Sequence, residues 1–311
     1  MTNGTPAHGV IEMANVSRWY DSVVAVNDVS FALEPGITGL LGPNGAGKST
    51  ILHMLAGFLK PSSGTVQIGG APVWRNHQQL YRATGLVPER EAVYPFMTGH
   101  EFVLFNAKLY GLPDPEAAAR RALSLVGMEY AEKRKLGGYS KGMKQRIKVA
   151  SAIVHDPQVL LLDEPFNGTD PRQRLEMMDL LRQMAAEGRT IVFSSHILDE
   201  VERLAEQVLV IVAGRLAASG DFRAIRLLMT DRPHVFTVVS SDNRKYAQAL
   251  VADPTVVAVE FTEEALTVRT AQYLGFTRLA PRIAREHQIT LRELVPTDES
   301  LESVFSYLVN R

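Results

Sequence analysis

The sequence predicts an α/β protein with a parallel-sheet core, followed by a second, smaller α+β domain. Three observations carry this expectation. The glycine-rich turn Gly42-Pro43-Asn44-Gly45-Ala46-Gly47-Lys48-Ser49 stands between an apolar strand and a helix. The compact apolar runs Val159–Leu162 and Ile191–Phe193 flank a helical stretch, as parallel strands covered on both faces do. Beyond about residue 231 the periodicity becomes strand, helix, strand, strand, helix, strand. A chain of 311 residues is long enough for one large and one small domain.

Taken in order, Val10 to about Ala32 reads as short, Val-rich β segments broken at Tyr20-Asp21 and Asn27-Asp28. Ile37–Leu41 leads into the glycine turn, and a helix runs from about Lys48 to Phe58. Pro61-Ser62-Ser63-Gly64 is a turn before the strand Thr65–Ile68, and Gly69-Gly70 is another. Thr84–Val87 reads as a strand. From about 89 to 156 the pattern is that of a helical insert. Thr98-Gly99-His100-Glu101 has capping-box spacing, with Phe102, Phe105 and Leu109 on one helix face behind it. Asp114-Pro115-Glu116 opens the next helix, Asp at the cap and Pro first inside. Arg172–Ala186 is the helix between the two apolar strands, and Val208–Val212 is a further strand.

The first domain is therefore expected over 1–230 and the second over 231–311. The second reads as strands near 234–240, 255–262, 265–270 and 289–295, helices near 243–252 and 277–287, and a last helix near 299–310. That βαββαβ order predicts a ferredoxin-like sandwich.

Composition narrows the partners. With 33 Lys+Arg against 34 Asp+Glu, charge supplies no drive toward nucleic acid. The absence of cysteine excludes disulfides and thiolate metal sites. Met1 to Val10 lacks a basic start and an apolar core, so no secretory signal is expected. No apolar run approaches the roughly 20 residues of a membrane span, so any membrane work requires a partner.

Gly42 to Ser49 satisfies G-x-x-x-x-G-K-[ST], the phosphate loop. Its glycines let the backbone of Gly42, Asn44, Gly45, Ala46 and Gly47 curl so that N–H groups converge on phosphate oxygens. The helix behind it, through Ser49 and Thr50, adds its positive end. Lys48 reaches the β- and γ-phosphates, and the Ser49 hydroxyl suits Mg²⁺. Val159–Leu162 ends in Asp163-Glu164. Ligands of open α/β sheets sit at carboxyl ends of strands, which brings both carboxylates to the phosphates. Asp163 suits the Mg²⁺ shell, and Glu164 the polarising of an attacking water. Ser140 caps a helix through Ile147, Ala150 and Val154, and its hydroxyl with the Gly142 and Met143 N–H groups forms an anion site.

From here the chain resembles the ABC ATPases over roughly residues 10 to 230. The resemblance rests on an order: phosphate loop, signature Tyr139-Ser140-Lys141-Gly142-Met143-Lys144-Gln145-Arg146, carboxylates, then a histidine after a strand. It implies ATP and Mg²⁺ as ligands and a homodimer, or a pair with another such subunit, in which Ser140 and Gly142 serve ATP held by the partner. It also implies that His196 contacts the γ-phosphate and that Asp170, in Asn167-Gly168-Thr169-Asp170, lies where the two chains meet. Tyr139, Lys141 and Met143 depart from the family's Leu-Ser-Gly-Gly-Gln, and Thr169 from its leucine. Tyr20 resembles the aromatic that stacks on adenine. Trp19 competes for that role, since neighbouring strand residues face opposite sides. Glu89 stands where the family has a Mg²⁺-touching glutamine, and is a metal candidate with Ser49 and Asp163. Tyr94 and Phe96 are candidates for a groove that holds a helix of a separate multi-span permease. Through that permease the chain would sit on the cytoplasmic face of the cell membrane.

The signature variant and the stretch Pro296 to Phe305 resemble the ABC-2-type exporters, the group with drug and sodium exporters. Two alternatives stand beside export: an importer ATPase with a ligand-sensing second domain, and a soluble cassette machine without a membrane partner.

Overall fold

The computed structural model describes residues 11–90, 92–221, 233–262 and 264–297. The chain divides into two compact units, Met1–Ser219 and Gly220–Arg311.

The first unit opens with β1 (Ile11–Tyr20) and β2 (Val23–Leu33), paired antiparallel around the Asp21-Ser22 turn. Asn27-Asp28 does not end the strand as expected. It forms a bulge in which Asn15 and Asp28 both take positive φ, with Asn15 Nδ2 donating to Asp28 Oδ1 at 3.1 Å. Then come β3 (Gly36–Leu41) and α1 (Lys48–Leu55). This helix stops short of Phe58 because Gly57 turns left-handed at φ +74°. After β4 (Ser63–Ile68), β5 (Ala71–Pro72) and α2 (His77–Ala83) comes β6 (Thr84–Val87).

The helical insert follows. The α3 helix (Gly99–Leu109) carries the complete capping box of Thr98 and Glu101. Its buried face is Gly99, Phe102, Val103 and Ala107, whereas Phe105 and Leu109 are 42 % and 68 % exposed. Gly99, Val103 and Ala107 follow i, i+4, i+8, and the Tyr139 hydroxyl occupies the space a Gly99 side chain would need. Asp114 caps α4 (Pro115–Leu125), and Ser140 caps α5 (Lys141–Ile153).

The chain then alternates through β7 (Val159–Asp163), α6 (Pro171–Ala186), β8 (Thr190–Ser195), α7 (Leu198–Leu204), β9 (Gln207–Val212) and β10 (Arg215–Gly220). One sheet has the order β2-β1-β4-β5, the other β10-β9-β3-β8-β7-β6. β7 and β8 are buried at every residue, so their continuous apolar runs are those of strands covered on both sides. A single apolar cluster joins the two sheets through α1. It includes Ile11 and Val26 of the antiparallel sheet, Ile51 and Leu52 of α1, and Leu161 and Ile211 of the parallel one.

The second unit contains β11 (His234–Ser240), α8 (Asn243–Val251), β12 (Val256–Phe261), β13 (Leu266–Thr270), α9 (Tyr273–Glu286) and β14 (Leu291–Pro296). Its sheet order is β12-β13-β11-β14, all pairs antiparallel, which is the ferredoxin-like arrangement. Phe236, Tyr246, Leu266 and Phe276 form its own core. The helix expected near 299–310 and most of the exporter-like stretch lie outside the described residues.

Candidate nucleotide site

Parallel strands bring their carboxyl ends to one edge, and the register here fixes which residues meet. Leu41 pairs with Ser195, Asp163 with Ser194, and Val87 with Leu162. The segments leaving β3, β6, β7 and β8 therefore emerge side by side: the phosphate loop, Glu89, Glu164 and His196.

The loop's shape depends on glycine. Gly47 has φ +105°, and a Cβ there would lie 2.5 Å from the Ala25 carbonyl oxygen. No side-chain oxygen caps α1 and its first turn holds no acid, which leaves the helix's positive end to the loop. The Lys48 ammonium, 7 % exposed, donates to the carbonyls of Gly42 at 2.8 Å and Pro43 at 3.3 Å. Ala25, Asn44, Gly45, Gly47, Lys48, Ser49, Thr50, Glu89 and Glu164 line one cleft of about 350 Å³.

Both carboxylates of Asp163-Glu164 are buried. Asp163 Oδ1 accepts from the Ser194 hydroxyl at 2.6 Å, and that hydroxyl accepts from the Glu164 N–H at 2.9 Å. Glu164 has positive φ, a conformation that costs a β-carbon residue about 1–3 kcal/mol and persists only where its surroundings hold it. Its carboxylate lies 3.8 Å from Lys48 Nζ, with both oxygens 3.0 Å from His196 Nδ1. His196 is kept in place from below. Ser195 Oγ donates to Glu200 at 2.7 Å and accepts from the Ile197 N–H at 3.0 Å, and Arg174 stands 3.4 Å from Glu200. Burial raises the Glu200 pKa, while the Ser195 hydrogen bond and Arg174 pull it back.

A metal or nucleotide fits this donor set. Among the described residues no three His, Asp or Glu side chains form a self-sufficient cage. Mg²⁺ prefers one or two protein oxygens completed by phosphates and water, a shell to which Ser49, Asp163 and Glu89 would contribute.

The remaining expected residues gather elsewhere. Ser140 Oγ accepts from the Met143 N–H at 3.2 Å and caps α5, whose first turn carries Lys141 and no acid. Asp170 caps α6 through the Gln173 N–H at 2.8 Å. The two helix starts pack together: Gly142 lies against Gln173 and Gly168, and Gly168 against Lys141. None of Ser140, Gly142, Met143 and Asp170 lines the phosphate cleft. Tyr139 replaces leucine for a structural reason, because its buried hydroxyl donates to the Ala131 carbonyl at 2.5 Å and ties the insert to the signature.

Tyr20 and Trp19 do not divide between core and solvent. A register shift between Arg18 and Trp19 breaks the alternation, and both rings are exposed, at 42 % and 45 %. The Arg18 guanidinium covers the Tyr20 ring at 4.6 Å. Ser194, Glu200, Arg174 and Lys148 contribute to the site's framework but were not singled out by the motifs. Of these, only Ser194 lay in a segment whose position advertised it.

A phosphate loop at one strand end, two carboxylates at the next and a histidine at a third define a nucleotide-hydrolysing cassette. The sequence pattern of the ABC transporter family matches residues 26–167. The chain is 32 % identical over 307 residues to a linearmycin resistance ATP-binding protein of Bacillus subtilis, covering 97 % of this chain and 99 % of that one. It is 31 % identical to a bacitracin transport ATP-binding protein of Bacillus licheniformis, over 96 % and 97 % of the two chains. A solved ATP-binding subunit of an ABC transporter superposes with a TM-score of 0.65 at 29 % identity, covering 70 % of this chain and 92 % of its own. A bacterial ABC transporter cassette of dimeric structure matches in fold, with a TM-score of 0.63 at 23 % identity over 68 % and 98 %. The chain belongs to the ABC transporter family. It is an ATP-binding, ATP-hydrolysing subunit, and Mg²⁺ accompanies its nucleotide.

Proposed function

We propose that two copies, or one copy and a paired subunit, close head to tail over two nucleotides. Lys48, Ser49, Asp163, Glu164 and His196 come from one chain, Ser140, Gly142 and Asp170 from the other. The observation that carries this reading is the separation into two clusters. One is a cleft lined by the buried Lys48 and Glu164 and the exposed Glu89, with the buried Asp163 next to Glu164 in the chain. The other pairs two capped helix starts, at Ser140 and Asp170, that do not line that cleft. Helix starts carrying Lys141 and Lys144 on α5 and Arg172 and Arg174 on α6 suit an anion, and a second chain can supply one.

Ser49 and Asp163, with Glu89, would hold Mg²⁺, which would neutralise charge on the phosphates. Lys48 orients the β- and γ-phosphates. Glu164, held by Ser194 and His196, polarises the attacking water, and His196 reaches the γ-phosphate when it moves off the carboxylate. Tyr20 stacks on adenine, worth about 1–3 kcal/mol by comparison with other base-stacking sites.

Closure and reopening of the dimer drive a separate multi-span permease in export, with the chain on the cytoplasmic face of the membrane. No helix among the described residues is long and apolar enough to cross a membrane. Relatives that match nearly the whole chain, second unit included, are named for linearmycin resistance and bacitracin transport, and others for Nod factor export. Those names favour export over the importer and soluble alternatives. Purification of the tagged chain from detergent-solubilised membranes tests it. A multi-span protein recovered with it in a 2:2 complex is expected, and a stable soluble assembly lacking one would overturn the transport reading.

A further inference from the structure

Lys148 lies on α5, eight residues beyond the Ser140 cap and about 12 Å along the same helix. It is 6 % exposed. Its Nζ donates to the carbonyl oxygens of Pro88 at 2.7 Å, Glu89 at 3.3 Å and Arg90 at 3.3 Å. Those residues stand 58 to 60 positions earlier in the chain, in the segment that leaves β6 and carries Glu89 into the cleft. An ammonium has three donors, and here they meet three consecutive carbonyls. Charge-assisted bonds of this kind are the stronger class, and burying a lysine is costly unless such partners satisfy it. Any rotation or slide of α5 therefore moves the backbone on both sides of Glu89.

We propose that Lys148 is a positioning residue that couples the signature helix to the Glu89 segment, so that nucleotide contact at Ser140 sets how Glu89 stands at the metal. The proposal rests on the reading that Ser140 and Gly142 meet the partner's nucleotide and Glu89 the metal. Lys148 touches neither nucleotide nor metal. Its effect therefore falls on turnover and on the Mg²⁺ requirement, and leaves the ATP affinity set by Lys48 and the loop backbone.

The test uses the full chain, with ATP turnover titrated against Mg²⁺, ATP binding measured by a fluorescent ATP analogue, and thermal unfolding followed in parallel. Lys148→Met is expected to bind the analogue within about twofold of the unaltered chain, to lose about tenfold in kcat, and to need about fivefold more Mg²⁺ for half-maximal turnover. Lys148→Arg, which keeps a charge and several donors, is expected to recover most of both. Lys148→Gln keeps a donor on a shorter stem and replaces Lys148→Met should that variant not fold. A folded Lys148→Met with normal kcat and Mg²⁺ dependence overturns the proposal. So does a loss of analogue binding in proportion to lost thermal stability that Lys148→Arg fails to repair. Ser140→Ala and Glu164→Gln run beside these. If both hydrolyse ATP normally, the underlying two-chain reading has failed. If both are impaired while Lys148→Met is normal, only the coupling has failed.

Discussion

His196 Nδ1 stands 3.0 Å from both carboxylate oxygens of Glu164, while Lys48 Nζ approaches the same carboxylate at 3.8 Å from the other side. Three segments far apart in sequence thus meet at one buried acid. The strained backbone of Glu164 is held by the Ser194 hydroxyl, which also binds Asp163. The metal carboxylate and the water-polarising carboxylate therefore share one anchor on β8, and the histidine follows two residues later on the same strand's exit.

The loop's geometry makes a prediction at Gly47. Alanine there must adopt φ near +105° with its Cβ 2.5 Å from the Ala25 carbonyl oxygen. The expected result for Gly47→Ala is ATP affinity lowered by at least about fivefold, from strain of about 1–3 kcal/mol at the loop itself. Titration with a fluorescent ATP analogue checks it. Binding within twofold of the unaltered chain would mean that the loop tolerates a different curl.

Tyr139 and Ser140 are neighbours with separable roles. Tyr139→Phe removes the bond to the Ala131 carbonyl and should cost about 1 kcal/mol of stability. Ser140→Ala removes the α5 cap, also about 1 kcal/mol. Only Ser140→Ala is expected to lower turnover out of proportion to that loss. Thermal unfolding beside steady-state ATPase rates separates them, and equal turnover losses in the two variants would contradict the signature's assigned contact.

His155 sets an acid limit on stability. Its ring stacks on Tyr110 with centroids 3.6 Å apart and lies 3.2 Å from the Thr84 carbonyl oxygen. Burial lowers its pKa from 6.5 to about 4. Between those values the unfolded chain binds a proton that the folded chain refuses. Stability is therefore complete above pH 6.5 and is lost as pH falls toward 4, by at most about 3 kcal/mol from this group. His155→Phe, which keeps a flat ring without the proton site, should flatten the fall in melting temperature between pH 6.5 and pH 4. An unchanged slope would remove His155 as its source.

How much of this was legible in the sequence follows from what each feature requires. The phosphate loop, both carboxylates, the capping box and the Asp114-Pro115 start were readable because local chemistry demands those residues in that order. The ferredoxin-like order was readable from alternation, since one face of its sheet is covered by helices and β11 alternates strictly. The short helices α2 and α7 were not, because seven residues carry too little periodicity to distinguish. Which side of α3 is covered was not readable, because it depends on packing against residues such as Tyr139, forty positions from Gly99, that only the fold brings close. Lys148, Glu200 and Arg174 read as ordinary helical charges. Their roles arise from carbonyls and carboxylates that tertiary packing brings to them.

The central claim, that Glu164 drives hydrolysis within a nucleotide-closed pair of chains, meets its most direct test in Glu164→Gln. The full-length variant is incubated with ATP and Mg²⁺, and its mass in solution, bound nucleotide and phosphate release are measured together. Retained ATP, phosphate release lowered by at least about a hundredfold, and accumulation of a dimer that the unaltered chain forms only in passing are expected. Phosphate release at the rate of the unaltered chain, from a species that stays monomeric with ATP, would contradict it.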